Sequence, residues 1–273
     1  MHDRVKKTPA LVLAAALLLA APVRAAVQDL AFGSMLPKAS LLREGSHHYL
    51  RYMISGETRA PIDIITREIR FTTSGNEKLM HIRQRYDGAL TPPSAPSGAA
   101  GTGAPAANTP SLKVVDSWFD AGTFRPRTHQ RVTDKDGKRV VEGFVFGPDK
   151  ITGMPDLPDN TRKDFAVDSA APAYNFETDM EMLQALPLAE GYEARIVFYH
   201  PGGAAAPARH SFKVTGSAAI AGPGGMIDCW VVTTDYNMPG HVSTFWFAKG
   251  SQLLVRQDSP AGPGKMIVKA LID

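Results

Sequence analysis

The sequence predicts a mainly β protein: a long-stranded antiparallel meander forming an open or half barrel, with one amphipathic helix on its concave side. Three observations point there. The C-terminal run from Met226 to Ile272 holds four segments rich in Val, Ile, Thr and aromatic residues: Ile227 to Tyr236, Val242 to Ala248, Gln252 to Asp258 and Lys265 to Leu271. The breaks between them, Asn237 to Gly240, Lys249-Gly250 and Ser259 to Gly264, contain Pro or Gly and cannot hold a crossover helix, so neighbouring strands must pair antiparallel. Upstream the same alternation of apolar and polar residues recurs, and a helical period emerges only once.

Taken in order, Gln28 to Gly45 is a mixed opening with no clear period. His48 to Ile54 alternates, with Leu50, Tyr52 and Ile54 on one face and Tyr49, Arg51 and Met53 on the other. Ile62 to Thr73 carries Ile65, Ile69 and Phe71 against Thr66, Glu68 and Arg70, turns at Thr73-Ser74-Gly75-Asn76, and returns as Lys78 to Asp87. Leu112 to Phe119, Phe124 to Thr133 and Lys138 to Gly147 continue the pattern, the last two joined by the polar turn Asp134 to Gly137. Pro148 to Pro172 reads as loop with a short strand near Lys163 to Val167. The helix runs from about Phe176 to Leu186: Asn175 is its cap, Glu177 and Asp179 suit its positive end, Phe176, Met180, Leu183 and Leu186 form its stripe, and Pro187 stops it. Tyr192 to Tyr199 and His210 to Gly216 form a further hairpin, with Tyr192, Ile196 and Phe198 inward against Phe212 and Val214.

Residues 1–25 have the composition of a cleavable signal peptide. Arg4, Lys6 and Lys7 precede the apolar run Ala10 to Ala21, and Val23-Arg24-Ala25 places small residues at a cut after Ala25. The run is shorter than the roughly 20 residues that span a bilayer. The expected address is periplasmic, and the expected product is one β-rich domain over 26–273, not membrane-spanning, with a flexible low-complexity loop at 91–110 that lacks charge and aromatic residues. The signal holds four basic residues and one acidic residue of the chain's 30 and 27, so the remainder has no net charge, which argues against a nucleic-acid partner. The single cysteine, Cys229, cannot form an internal disulfide and reads as a small buried residue.

The stretches YEARIVFYHPGG, HSFKVTGSAAI, DCWVVTTDYNMPG and TFWFAKGSQLLVRQDS, with the signal and the meander, resemble an uncharacterised bacterial envelope family of unknown function over about Lys113 to Asp273. That family is similar in layout to periplasmic lipoprotein carriers of the Lol type. The resemblance implies an open half-barrel whose concave face holds an acyl chain or a peptide, and it brings no catalytic residues.

No nucleophile elbow, paired-cysteine, phosphate-loop or zinc-protease motif occurs, and adjacent His47 and His48 would face opposite ways on a strand, so the sequence predicts neither enzyme, cofactor nor metal site. The expected function is non-catalytic binding of an apolar or lipid-like ligand on the concave face, with Tyr52, Met180, Trp230 and Trp246 as candidate contacts. The alternative is an envelope assembly module that binds a protein partner through an edge strand or through the stripe Arg125, Arg127, His129 and Arg131, whose spacing by two puts all four on one face. A bland reading stands beside each: aromatic core packing for the first set, a solvated outer face for the second. A hydrolase would need Asp228, Asp235 and His241 to converge.

Overall fold

A computed structural model describes residues 27–88 and 111–273. The signal peptide expected at 1–25 and the loop expected at 91–110 lie outside the described residues.

The first half of the sheet is built from β1 (Val27–Asp29), β2 (Gly45–Ser55), β3 (Thr58–Ser74), β4 (Glu77–Asp87), β5 (Leu112–Asp120), β6 (Pro126–Lys135), β7 (Lys138–Phe146), β8 (Lys150–Gly153), β9 (Ala166–Asp168) and β10 (Tyr174–Asn175). A 3-10 turn, Phe176–Thr178, leads into α1 (Asp179–Gln184). The second half follows as β11 (Glu193–Tyr199), β12 (Ala208–Gly222), β13 (Gly225–Thr234), β14 (Ser243–Ala248), β15 (Leu254–Pro260) and β16 (Lys265–Leu271). All sixteen belong to one sheet, in the order β1, β11 to β16, then β2 to β9, with β10 beside β11. Every ladder is antiparallel except those of β1 and β10 with β11.

Local chemistry explains the hairpins. The β6–β7 turn places Asp136 and Gly137 at φ 51° and 72°, the left-handed pair that a two-residue hairpin of matching twist requires. Register shifts at Arg51/Tyr52, Trp118/Phe119, Val214/Gly216 and Trp246/Phe247 bend the sheet around its hollow. The third explains a boundary: Gly216 looks like a strand end in the sequence, but the bulge absorbs it and β12 runs on to Gly222. β1 and β8 come from stretches with no clear strand period.

The sheet does not close. Its two edges approach one another through side chains: Phe144, Ile151, Ala173 and Tyr199 form a small buried cluster with Phe146, Phe165, Val167 and Val197 packed against it. Edge-to-face rings at 5.3 Å (Phe144–Phe165) and 6.3 Å (Phe146–Tyr199) make the seam.

α1 lies inside the hollow, as expected, but it is not amphipathic in the sense of having a wet face. All six of its residues are buried. Asn175 does cap the segment, its Oδ1 accepting from the Glu177 amide at 3.0 Å. Met180, Met182, Leu183 and Leu186 join the main core with Tyr49, Ile65, Ile69, Met80, Ile82, Phe119, Phe245, Phe247 and Leu254. Each such side chain contributes roughly 1.5–3 kcal/mol by leaving water.

The concave face has a gradient along its axis. On β3 it reads Asp63, Ile65, Arg67, Ile69 and on β4 Met80, Ile82, Gln84, and these residues are buried. The ladders align Ile69 with Ile82, but Arg67 with Gln84 and Ile65 with Tyr86. One end of the hollow is thus apolar and sealed by α1, and the other is lined with charge.

Candidate functional site

At the charged end lies a cavity of about 530 Å³, walled by Arg51, Arg67, Tyr86, Lys113, Glu177, Asp179, His200, Tyr236, Gln257 and Lys269, with Phe176, Met238 and Pro260 among its apolar neighbours. Register puts these groups together from distant parts of the chain. Gln257 pairs with Lys269, Lys269 with Arg51, and Arg51 with Asp63.

The floor is an ion network. Arg67 grips Glu181 of α1 with Nε and Nη2 at 2.6 Å each, and also donates to Gln84 Oε1 at 2.8 Å and to the Glu177 carbonyl at 3.2 Å. Tyr86 donates to the same Gln84 oxygen at 2.6 Å. Arg51 forks onto Asp63, with Nε at 2.7 Å from Oδ1. Forked pairs of this kind are among the strongest polar contacts a protein makes; the Arg67 pair fixes α1 against β3, and the Arg51 pair ties β2 to β3.

Beside them, Arg131 donates to Glu177 Oε1 at 2.8 Å and to Glu142 at 2.7 Å. His129 accepts at Nδ1 from Ser117 at 2.9 Å and from Asn175 at 3.1 Å, so its proton sits on Nε2, 4.0 Å from Glu177 Oε1. Burial lowers the His129 pKa to about 4 and keeps the ring neutral. Burial works to raise Glu177, but the cationic side chains around it, Lys113 and Arg131 included, outweigh that and hold it below the ordinary range. Asp179, also buried, is raised, and it accepts from Tyr236 at 2.8 Å.

Two amines complete the wall without a direct ion pair. Among the described residues neither Lys113 nor Lys269 takes part in an ion pair. Lys113 sits over the Tyr86 ring, 3.8 Å from its centroid, and burial lowers its pKa. Lys269 Nζ has the Met180 sulfur at 3.8 Å, and burial with nearby Arg67 brings its pKa down to about 8. Glu177 acts on Lys113 and Asp179 on Lys269 at longer range, so the two amines stand among carboxylates with no direct ion pair, placed to meet the carboxylate or phosphate of a ligand.

The candidate ligand contacts read from the sequence do not meet here. Met180 is buried in the core and touches the cavity only through its sulfur on Lys269. Trp230 packs at the core edge with Lys249 over its ring at 4.6 Å. Tyr52 and Trp246 belong to the other face: Tyr52 follows the cavity residue Arg51 and pairs with Val268, and Trp246 lies between buried Phe245 and Phe247 with Arg256 over its ring. The concave face of β2 is the one carrying Tyr49 and Arg51.

The basic stripe is cut in two. Arg127 is the extra residue of the β5–β6 bulge, which flips the side-chain phase. Arg125 and Arg127 turn out onto Asp120, and Arg127 also reaches Glu77 at 2.8 Å. His129 and Arg131 turn in toward Glu177. A larger open hollow of about 770 Å³ beside Arg125, Arg127 and Phe146 is mostly apolar, and its cations are already matched. Asp228, Asp235 and His241 occupy separate settings: Asp228 pairs with Lys249 at 3.0 Å, Asp235 accepts from the Asn237 amide, and His241 lines the cavity.

Glu177, Lys113 and Lys269 were the residues to find. For the two lysines the signal is phase: Lys113 stands on the Val115–Phe119 face and Lys269 between Ile267 and Leu271, where a solvated charge has no place. Among the described residues no helix is long and apolar enough to cross a membrane, and no group of His, Cys, Asp and Glu has the makings of a metal site.

A protein-family model described as "Protein of unknown function (DUF3108)" matches residues 99–269. A solved structure, the beta-barrel-like protein of domain of unknown function DUF1849 from Brucella abortus, aligns over 85% of this chain and 98% of its own at 13% identity, with a TM-score of 0.47. No curated protein matches.

Proposed function

The chain belongs to the DUF3108 family, and from that premise we propose that it is a non-catalytic binding protein that takes a small anionic ligand with an apolar flank into the charged end of its half-barrel. The observation that supports this is the pair Lys113 and Lys269, two amines on one cavity that make no direct ion pair among the described residues. Both amines are partly desolvated and make no direct ion pair, and a ligand oxyanion between the two would supply one. A volume of about 530 Å³ suits a small amphiphile, and Phe176, Met238 and Pro260 offer an apolar flank. An acidic head is favoured over a wholly apolar ligand because α1 already occupies the apolar end of the hollow. The lipoprotein-carrier layout and a periplasmic address belong to the same reading. Partner binding through the basic stripe is less favoured, since Asp120 and Glu77 neutralise its outer half.

Thermal unfolding with decanoate, decyl phosphate and decanol tests it. We expect both anions to raise Tm, by roughly 2–4 °C per kcal/mol of binding free energy, and decanol to do little. Lys113→Met/Lys269→Met should abolish the rise. Equal stabilisation by decanol, or no stabilisation by either anion, would overturn the anionic reading.

A further inference from the structure

We infer that Lys269 captures carbonyl compounds covalently, forming a reversible imine with an aldehyde or ketone that also bears a carboxylate or phosphate. The inference rests on the anionic cavity and goes beyond it by naming a second feature of the ligand. Lys113 and Lys269 line the same space but differ in what holds them. The Tyr86 ring under Lys113 favours its ammonium form and makes it the anion's partner. Among the described residues Lys269 Nζ has a thioether as its hydrogen-bond partner and no carboxylate in direct contact, Asp179 and Glu181 acting on it from farther off, so no ion pair holds its ammonium form. It stands on β16 directly across from Arg51, with Arg67 close behind, and a desolvated lysine beside cations is an activated amine. Asp179 precedes Met180 on α1 and lines the same cavity, so a group able to give and take a proton accompanies the amine.

The step balances without an oxidant or reductant. The lone pair of neutral Nζ adds to the carbonyl carbon, and one amine proton moves to the oxygen, giving a carbinolamine. The Asp179 carboxyl gives a proton to the departing hydroxyl, which leaves as water. The iminium then returns its N–H proton to the carboxylate, leaving a neutral imine. With a pKa of about 8, Lys269 holds a share of free amine at neutral pH roughly two to three hundredfold above that of an ordinary lysine.

Glyoxylate and acetaldehyde, carbonyl probes of similar size, separate the possibilities when each is incubated with the protein, trapped by sodium cyanoborohydride and mapped by peptide mass spectrometry. We expect glyoxylate to label Lys269 at least about tenfold more than any other lysine, and acetaldehyde to label it far less. Lys269→Arg, which keeps the charge but has no amine that can form an imine, should lose the adduct. Label spread evenly over surface lysines, or concentrated on Lys113, would overturn the imine inference. So would absence of a Lys269 adduct in protein that decanoate still stabilises, and that outcome leaves the anion reading standing. Equal labelling of Lys269 by both probes would keep the imine and overturn the anionic reading.

Discussion

Arg67 is only 4% exposed and makes four hydrogen bonds, two of them to Glu181, which is equally buried. Arg67→Met should destabilise the fold by about 3–5 kcal/mol in urea unfolding, because it strands a buried carboxylate. Arg67→Met/Glu181→Met should recover a large part of that loss. His129 gives a pH signature. Its folded pKa lies near 4 and its ordinary value is 6.5, so between those values the unfolded chain binds a proton that the folded one refuses. Stability should therefore fall by up to about 3 kcal/mol as pH drops from 6.5 to 4, and His129→Gln should flatten that slope in pH-dependent thermal melts. Glu177, Arg131, Lys113 and His200 face the ring and set its surroundings. At this scale the apolar pattern was legible and the charges were not. Ile65 and Ile69 announce a buried face by spacing alone, but nothing local says that Arg67 between them meets Glu181, some 114 residues away.

Elements were legible where a period or a turn signal stood alone. The hairpins from β3 to β7 and the meander from β13 to β16 follow from alternation and from Gly, Asn or Asp at the turns. Where a bulge intervened, the period misled: the Arg125 to Arg131 stripe assumes an unbroken β6, and the extra residue at Arg127 sends its halves to opposite faces. The helix was legible in its cap and position but not in its exit. Gln252 reaches in from before β15 and donates to the carbonyls of Gln184 at 2.7 Å and Leu186 at 2.6 Å, ending α1 with a side chain from a distant loop. Gln252→Ala should cost about 2 kcal/mol, since both carbonyls lose a buried donor. Gln252→Glu should cost more, because it sets a carboxylate against them. Chemical denaturation of the two variants checks the order.

For the whole molecule, a half-barrel sealed by aromatic contact has its weakest line along the seam. Phe144, fully buried there, packs on Phe165 and closes against Gly202, where an added Cβ would meet its ring at 3.0 Å. Phe144→Ala should lower stability by about 3–5 kcal/mol and raise hydrogen exchange along β8 and β11 more than along β3 and β4. The sheet's order carries a further consequence. β16 does not lie at an edge but is inserted between β15 and β2, where Lys269 meets Arg51 and Leu271 meets Tyr49. Two fans of nearest-neighbour hairpins can form early, each from its own stretch of sequence, but only the last strand stitches them into one body. A chain in which β16 has not yet joined the sheet therefore has neither the cavity nor its pair of amines, and under the binding proposed above, loading waits for that one strand.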